Sequence, residues 1–225
     1  GGFDLFGDYV HTLPGPDVVP AFARHPALYA FLQKATHPEP DRRFQNADDM
    51  ATQLIGVLRE VTAGTGLART LESVYFFAAD QVQTGQRSVG PRSLPALKPD
   101  SGDPAATALL SASALEGEAR MDALRAAMEK YPESVEAPIR IADVHIEHAE
   151  YSAAEGLLDI ARTRDNFDWR AEWLKGKTAL LRNKPAEAFA SFERVAADLP
   201  GELIPRFALA IAAEAEENWK TAARW

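Results

Sequence analysis

The feature that most constrains the fold of this chain is a repeat of 34 residues in its C-terminal half. Small residues recur at that spacing in one row, Ala108, Ala142, Gly176 and Ala210, and in a second row, Ala154, Ala188 and Ala222. Larger apolar residues form a third row, Leu124, Leu158 and Phe192. Two antiparallel helices approach closely only where side chains are small, and a larger side chain fills the groove left between them. The rows therefore predict helix pairs that bury their apolar faces on one another.

These rows match the tetratricopeptide pattern, which also places a proline at the end of a unit. The third unit fits best, with Gly176, Ala188, Phe192 and Pro200 in place, and the second unit contributes Ala154. The first unit is weaker, because Arg120 stands where Ala is expected. We predict a mostly α fold with a tetratricopeptide α-solenoid over 102–225 and these five matching residues as its packing positions. An irregular Ala-rich helical bundle is the alternative.

The N-terminal part, 1–64, carries the signals of two helices. The first begins near His25 and runs to about Thr36, with a proline where its missing N–H costs nothing. The second follows Asn46, a favourable N-cap residue. Its apolar residues recur at i, i+4, i+8 and i+11 and so share one helix face. They are Met50, Leu54, Leu58 and Val61.

A stretch rich in proline and glycine, 85–104, separates the two parts. Proline fixes φ and removes a backbone donor, so this stretch is neither a helix interior nor a central strand. We assign 65–101 as a linker. Within it, Ser73–Phe77 is predicted to be a short strand or a docked extended segment.

Composition excludes several classes of function. The net charge of −9 argues against a surface for nucleic acid or anionic membranes, because such surfaces cluster Lys and Arg. The chain has no cysteine, so it contains no disulfide and no Cys-ligated metal site. No apolar run approaches the roughly 20 residues that cross a bilayer. We expect no membrane span and a cytoplasmic protein.

Three further groups of residues have both a structural and a functional interpretation. His145 lies among acidic residues and near His148, but it occupies a repeat position that packs between helices, so we expect no metal site. Trp169 and Trp173 share a helix face. They either pack on the neighbouring repeat or stack on a peptide. The first helices of the repeats carry cations that would receive an acidic peptide or simply face solvent, and these are Arg140, Lys175, Lys177 and Arg206.

The stretch HPEPDRRFQNADDM, residues 37–50, resembles the last conserved block of the protein kinase C-lobe. Arg43 stands at the position of an Arg that, in kinases, pairs with the Glu of the Ala-Pro-Glu motif. A lobe-closing helix, TQLIGVLREVTA (52–63), then precedes a linker and tetratricopeptide repeats. That order resembles the protein kinase G family of mycobacteria and related actinobacteria, as do DYVHTLP (8–14), WRAEW (169–173) and DLPGELIPRFALA (198–210).

The resemblance implies a cytosolic Ser/Thr kinase with a rubredoxin-like metal module ahead of the kinase domain. It implies ATP and Mg²⁺ as cofactors of the parent protein and a forkhead-associated regulator of 2-oxoglutarate metabolism as substrate. Central carbon and nitrogen metabolism would then be the controlled process. The repeats would regulate, dock or dimerise the kinase. The alternatives are a peptide-binding repeat scaffold and a pseudokinase.

The motifs of phosphoryl transfer are absent from this sequence. It has no Gly-rich phosphate loop, strand Lys, His-Arg-Asp, Asp-Phe-Gly or Ala-Pro-Glu, so we expect no catalytic residue and no cofactor site within it. The stretch 4–7, Asp-Leu-Phe-Gly, has one residue too many and lies too close to Arg43 to serve as Asp-Phe-Gly. Both ends of the sequence have the appearance of cut rather than natural termini.

Overall fold

A computed structural model describes residues 12–63, 72–77 and 90–225. The chain divides into two compact units, one formed by Gly1–Leu71 with Ala196–Leu203 and the other by Glu72–Val195 with Ile204–Trp225. The part of the predicted linker from residue 72 onward thus belongs to the second unit. The Asp-Leu-Phe-Gly stretch at 4–7 lies outside the described residues.

The first unit contains α1 (Pro20–Arg24), α2 (Pro26–Ala35) and α3 (Ala47–Ala63), with a single 3₁₀ turn at Pro40–Arg42. Both helices predicted from the sequence are confirmed. Helix α2 begins with a proline at its first position. Helix α3 is capped by Asn46, whose Oδ1 accepts a hydrogen bond of 2.7 Å from the N–H of Asp49.

The core of this unit is small, and α3 contributes only part of its predicted apolar face. Ala27, Phe31 and Val57 are buried together, and Val61 packs against them. The other members of the predicted stripe are largely exposed, with Met50 at 39%, Leu54 at 38% and Leu58 at 52%. The sequence pattern therefore identified the helix, but not the face that the helix buries within this chain.

Residues 196–203, far along the sequence, complete the first unit. The ammonium group of Lys34 donates hydrogen bonds to the backbone oxygen of Asp198 at 2.8 Å and to its carboxylate at 3.0 Å. The same ammonium lies 5.0 Å from the centroid of the Phe44 ring. A cation held between a carboxylate and an aromatic face fixes this segment against α2.

A backbone-to-backbone contact fixes the same segment against α3. The buried side chain of Gln53 accepts a hydrogen bond of 2.8 Å from the N–H of Gly201. A Cβ atom on Gly56 would overlap the carbonyl group of Gly201, and one on Gly201 would overlap that of Gln53. This approach is open only to glycine at both positions.

The second unit is a series of helix pairs. Its helices are α4 (Ala106–Ser113), α5 (Gly117–Lys130), α6 (Glu136–Glu147), α7 (Tyr151–Arg164), α8 (Trp169–Leu181), α9 (Pro185–Asp198), α10 (Ile204–Ala215) and α11 (Trp219–Ala222). The second helices of the pairs begin at 117, 151, 185 and 219, which is the period of 34 predicted from the sequence. The mostly α fold with a repeat solenoid is confirmed, and no named strand occurs within the described residues.

The turns inside three of these pairs share one conformation. Ala149, Asn183 and Glu217 have φ of 60°, 58° and 58°, again 34 residues apart. In each turn the N–H of the following residue donates a hydrogen bond to the carbonyl five residues earlier. The bonds run from Glu150 to His145 (2.8 Å), from Lys184 to Ala179 (2.8 Å) and from Asn218 to Ala213 (2.9 Å). This is the Schellman arrangement of a helix C-terminus, which favours glycine at the left-handed position. None of the three residues is glycine, so these caps were not predicted from the sequence.

Asp103 joins the start of the array to α6. Its carboxylate accepts hydrogen bonds from the hydroxyl of Ser134 at 2.6 Å and from the N–H groups of Ala105, Val135 and Glu136 at 2.8, 3.0 and 2.9 Å. Burial raises the pKa of Asp103, but the bonds from Ser134 and from the three N–H groups outweigh burial and hold that pKa below its ordinary value. The carboxylate thus caps the N-terminus of α6.

We predict that Ala149→Gly stabilises the protein by roughly 0.5–1 kcal/mol, because a left-handed conformation costs an L-residue about 1–2 kcal/mol and glycine loses part of that gain through chain entropy. Urea denaturation measures the change. Ala126→Gly is the control: Ala126 is exposed in the middle of α5, where glycine costs about 1 kcal/mol. Equal losses in both variants would contradict the assigned turn.

We predict that Asp103→Asn destabilises the protein by about 1–3 kcal/mol at neutral pH, because an amide cannot accept four hydrogen bonds. A carboxyl with a lowered folded-state pKa stabilises the fold above its unfolded pKa of about 3.9 and loses this contribution as pH falls through the lower folded value. The difference between wild type and variant should therefore shrink below about pH 4.

Thermal denaturation of both proteins as a function of pH measures that difference. The matched control is Asp122→Asn, because the Asp122 side chain is 68% exposed and lies 3.7 Å from Arg125. We expect it to change stability by less than about 0.5 kcal/mol. A difference between wild type and Asp103→Asn that does not depend on pH would show that the charge of Asp103 contributes nothing.

Candidate functional site

Of the predicted repeat-packing residues, Ala154 lies in α7, Gly176 in α8, Ala188 and Phe192 in α9, and Pro200 in the turn after α9. A Cβ on Gly176 would lie 2.5 Å from Cε1 of Phe192, so the small residue makes room for the ring. Ala154, Ala188 and Phe192 are fully buried. Pro200 is also buried, in the segment that belongs to the first unit.

From Phe192, aromatic rings continue through α8 to the surface. The Phe192 ring lies 5.2 Å from that of Trp173, which is fully buried. Phe76 packs on Trp173 at 4.8 Å and on Trp169 at 5.3 Å, and Tyr75 meets Trp169 edge-on at 5.5 Å. Such tilted and edge-to-face pairs are favourable arrangements for aromatic rings. The two tryptophans therefore contact residues of the predicted linker rather than an open solvent surface.

The segment that covers the tryptophans, residues 72–77, is called here the docked segment. It forms an isolated antiparallel bridge between Phe76 and Leu97, both 1% exposed. The N–H of Phe77 donates to Ala96 at 2.9 Å, and that of Lys98 donates to Tyr75 at 2.8 Å. The predicted docked segment is confirmed, but it is extended only around the bridge at Phe76, because the chain bends at 74–75 and the Ser73 hydroxyl accepts from the N–H groups of Tyr75 and Phe76. Sequence reasoning missed which surface it contacts, because that pairing joins positions far apart in the chain.

A buried carboxylate holds the other side of this surface together. Glu136 is 1% exposed, and its two carboxylate oxygens accept from Arg140 and from Arg170. Arg140 also donates to the backbone oxygen of Leu97 at 2.9 Å. An ion pair removed from water needs hydrogen bonds to offset its lost hydration, and the second arginine supplies one to the other oxygen of Glu136. Among the described residues, Nη2 of Arg140 has no hydrogen-bond partner. The bond to Leu97 fixes the chain that pairs with the docked segment.

Arg170 is the second arginine that contacts Glu136. It pairs with Asp168, the N-cap residue of α8, and lies 3.7 Å from Asp100. Burial lowers the pKa of Arg170, but the hydrogen bond and charge of Asp168 and the charges of Glu136 and Asp100 outweigh burial and raise it. Arg170 therefore remains cationic and links α6, α8 and the chain that precedes α4.

The cations for which the sequence left two interpretations open, an acidic peptide or solvent, are engaged within the chain. Lys177 pairs with Asp143 at 3.0 Å, 34 residues away, just as Arg170 pairs with Glu136. Lys175 pairs with Asp159 at 3.0 Å. Arg140 is bound to Glu136, and Arg206 also has an interaction partner. These pairs neutralise the cations, which does not favour a groove for acidic peptides.

Arg43, the residue that resembles the C-lobe arginine, lies exposed ahead of α3. Its Nε donates to the backbone oxygen of His37 at 2.6 Å, and one terminal nitrogen donates to that of Pro38 at 3.3 Å. Gln45 donates to three further carbonyls of the same turn. The turn is thus held by side-chain donors, and Arg43 has no carboxylate partner among the described residues.

The His145 side chain is engaged within the chain. Its Nδ1 hydrogen-bonds to the carboxylate of Glu150 across the turn between α6 and α7. Over 12–63, 72–77 and 90–225, no three His, Cys, Asp or Glu side chains are grouped so that they could hold a metal ion. Nor does any helix in these ranges combine the length and hydropathy that a membrane span requires.

Comparison with known proteins agrees with this architecture. The sequence model of the family "Protein kinase G tetratricopeptide repeat" matches residues 79–225. The chain is 32% identical over 239 aligned residues to "Serine/threonine-protein kinase PknG" of Mycolicibacterium smegmatis and 30% identical over 239 to the protein of the same name in Mycobacterium leprae. Each match covers 92% of this chain and 31% of the relative, so the chain spans about a third of the length of these curated relatives. The chain therefore belongs to the protein kinase G tetratricopeptide repeat family.

Proposed function

We propose that this chain closes the C-lobe of a Ser/Thr protein kinase and carries the tetratricopeptide repeats that regulate it. The family match supports the repeats, and the names of the relatives support a kinase as the parent protein. The observation that carries the lobe assignment is the turn at 37–45, which orients Arg43 immediately before α3. In this proposal Arg43 is a positioning residue, not a catalytic one.

The role of Arg43 follows from its hydrogen-bonding capacity. A guanidinium has five N–H donors in a fixed fork, and two nitrogens of Arg43 donate hydrogen bonds to the carbonyls of His37 and Pro38. Those bonds fix the plane of the fork and leave donors for a bidentate carboxylate. We propose that this carboxylate is the Glu of an Ala-Pro-Glu motif elsewhere in the parent protein, where it would tie the activation segment to the lobe.

The exposed face of α3 supports the same assignment. Met50, Leu54 and Leu58 form an apolar stripe that stays between 38% and 52% exposed. A contiguous apolar stripe on a helix normally faces a protein interior. We propose that the remainder of the kinase lobe covers this stripe in the parent protein.

Phosphoryl transfer itself would use groups outside this chain. Positioning of the nucleotide and Mg²⁺ requires a phosphate loop, a strand Lys and metal-binding carboxylates. The sequence has none of these motifs, and the described residues provide no grouped metal ligands. We propose that the ATP and Mg²⁺ of the parent kinase are bound by its residues outside this chain.

The partners of the parent protein follow only from the family resemblance. We propose a forkhead-associated regulator of 2-oxoglutarate metabolism as substrate, control of central carbon and nitrogen metabolism as the process, and the cytoplasm as the location. Homodimerisation through the repeats belongs to the same proposal. The net charge of −9 is compatible with protein partners rather than nucleic acid.

We predict that Arg43→Ala in the full-length protein lowers the rate of phosphoryl transfer to a protein substrate by roughly 10–100-fold, because the activation segment loses its anchor and the acceptor hydroxyl is misplaced. The initial rate of phosphate incorporation measures this. Arg43→Lys should also be impaired, because an ammonium cannot form a fork.

Arg42→Ala is the matched control for this experiment. Arg42 is the preceding residue, its side chain is 67% exposed, and its partner Glu39 is equally exposed. We expect wild-type activity from it. Equal activity in all of these variants would reject the role of Arg43, and a full-length wild type without activity would instead favour a pseudokinase or a repeat scaffold.

A further inference from the structure

The docked segment has the geometry of a bound peptide. Within it only Phe76 is buried, at 1% exposed against the tryptophans, whereas Val74 and Phe77 are 57% and 48% exposed. Two of its backbone hydrogen bonds join it to Ala96 and Lys98, and the N–H groups of Tyr75 and Phe76 donate to the hydroxyl of Ser73 in the same segment. Recognition by one short backbone edge together with one side-chain pocket is the mode by which proteins bind extended peptides as an added strand.

The receptor side of this contact is held in place by residues that do not belong to the docked segment. The Trp173 ring packs on Phe192 in the interior of the array, and the Phe192 ring packs closely against Gly176. The backbone edge at Leu97 is fixed by Arg140, which is itself held by Glu136. Trp173 and the edge at Leu97 are therefore positioned from the interior of the array, whereas the ring of Trp169 contacts Tyr75 and Phe76 of the docked segment.

We propose that the edge Ala96–Lys98, together with Trp169 and Trp173, is a peptide-binding site of the repeat array, and that residues 72–77 occupy it as an internal ligand. The site takes an extended segment with a large aromatic residue directed between the two tryptophans, as Phe76 is. An external peptide of this chemistry competes with the chain's own segment. The proposal does not depend on the kinase assignment.

The docked segment and its site belong to one chain, and this covalent link sets how strongly the segment competes with an external peptide. A ligand tethered to its own site has an effective concentration on the order of millimolar. External peptides are then excluded unless the contact of the docked segment is weakened. Lys98 adds to that contact, because its ammonium donates to the backbone oxygen of Ser73 at 2.7 Å. The site is thus closed by default and opens when the segment is released.

The test uses a capped, fluorophore-labelled synthetic peptide with the sequence of residues 72–77 and the full-length protein. Phe76→Ala removes the side chain that fills the pocket and leaves the receptor residues intact. We expect this variant to bind the peptide at least about tenfold more tightly than wild type, measured by fluorescence anisotropy. A peptide carrying the same Phe76→Ala change should not bind.

Val74→Ala is the matched control, since it shortens a side chain of the docked segment that is 57% exposed and should leave peptide binding at the wild-type level. Circular dichroism checks folding. If Phe76→Ala does not fold, Tyr75→Ala carries the test, because it trims the half-buried ring at Trp169 and should also raise peptide affinity. Equal peptide affinity in wild type and the folded pocket variant would overturn the proposal, because a purely structural contact is not restored by a peptide added in trans.

Discussion

The fit of the Phe192 ring against Gly176 is the contact on which the second unit most depends. It sets the distance between the two helices of one repeat, and the same ring supports Trp173. Trp173 in turn supports Phe76, so the surface that receives the docked segment is an extension of repeat packing. A residue larger than glycine at 176 would displace the Phe192 ring and with it the pocket for the docked segment.

A cluster of buried charges positions the irregular chain that lies beside this apolar packing. The buried Glu136 would destabilise the fold if it stood alone, since a desolvated charge is costly without partners. Arg140 and Arg170 share it, and each then reaches outward, one to the oxygen of Leu97 and the other to Asp100. One carboxylate in α6 therefore orders the irregular chain that precedes the array. The helices alone do not determine the path of that chain.

The sequence predicted the features that depend on the repeat period or on residues close together in the chain. The period of 34 anticipated the starts of α5, α7, α9 and α11, and the N-cap at Asn46 anticipated α3. Left-handed caps were missed, because Ala149 and Glu217 are held there by the turn rather than by their own preference. The contact of Phe76 with the tryptophans was missed for a different reason: pattern analysis assigns faces to helices, but it does not assign partners to an irregular segment.

The stretch 198–210, which carried part of the family resemblance, has a physical reason for its residues. Gly201 is needed because its backbone meets the backbone of α3, and Gly56 is needed at the facing position. Gln53 places an amide oxygen where the N–H of Gly201 would otherwise be buried without a partner. Lys34 holds the preceding turn through Asp198. Three residues that are distant in sequence, Lys34, Gln53 and Gly56, thus impose requirements on one short segment. A sequence match at that segment therefore reflects the helices of the first unit that it contacts as well as the repeat it follows.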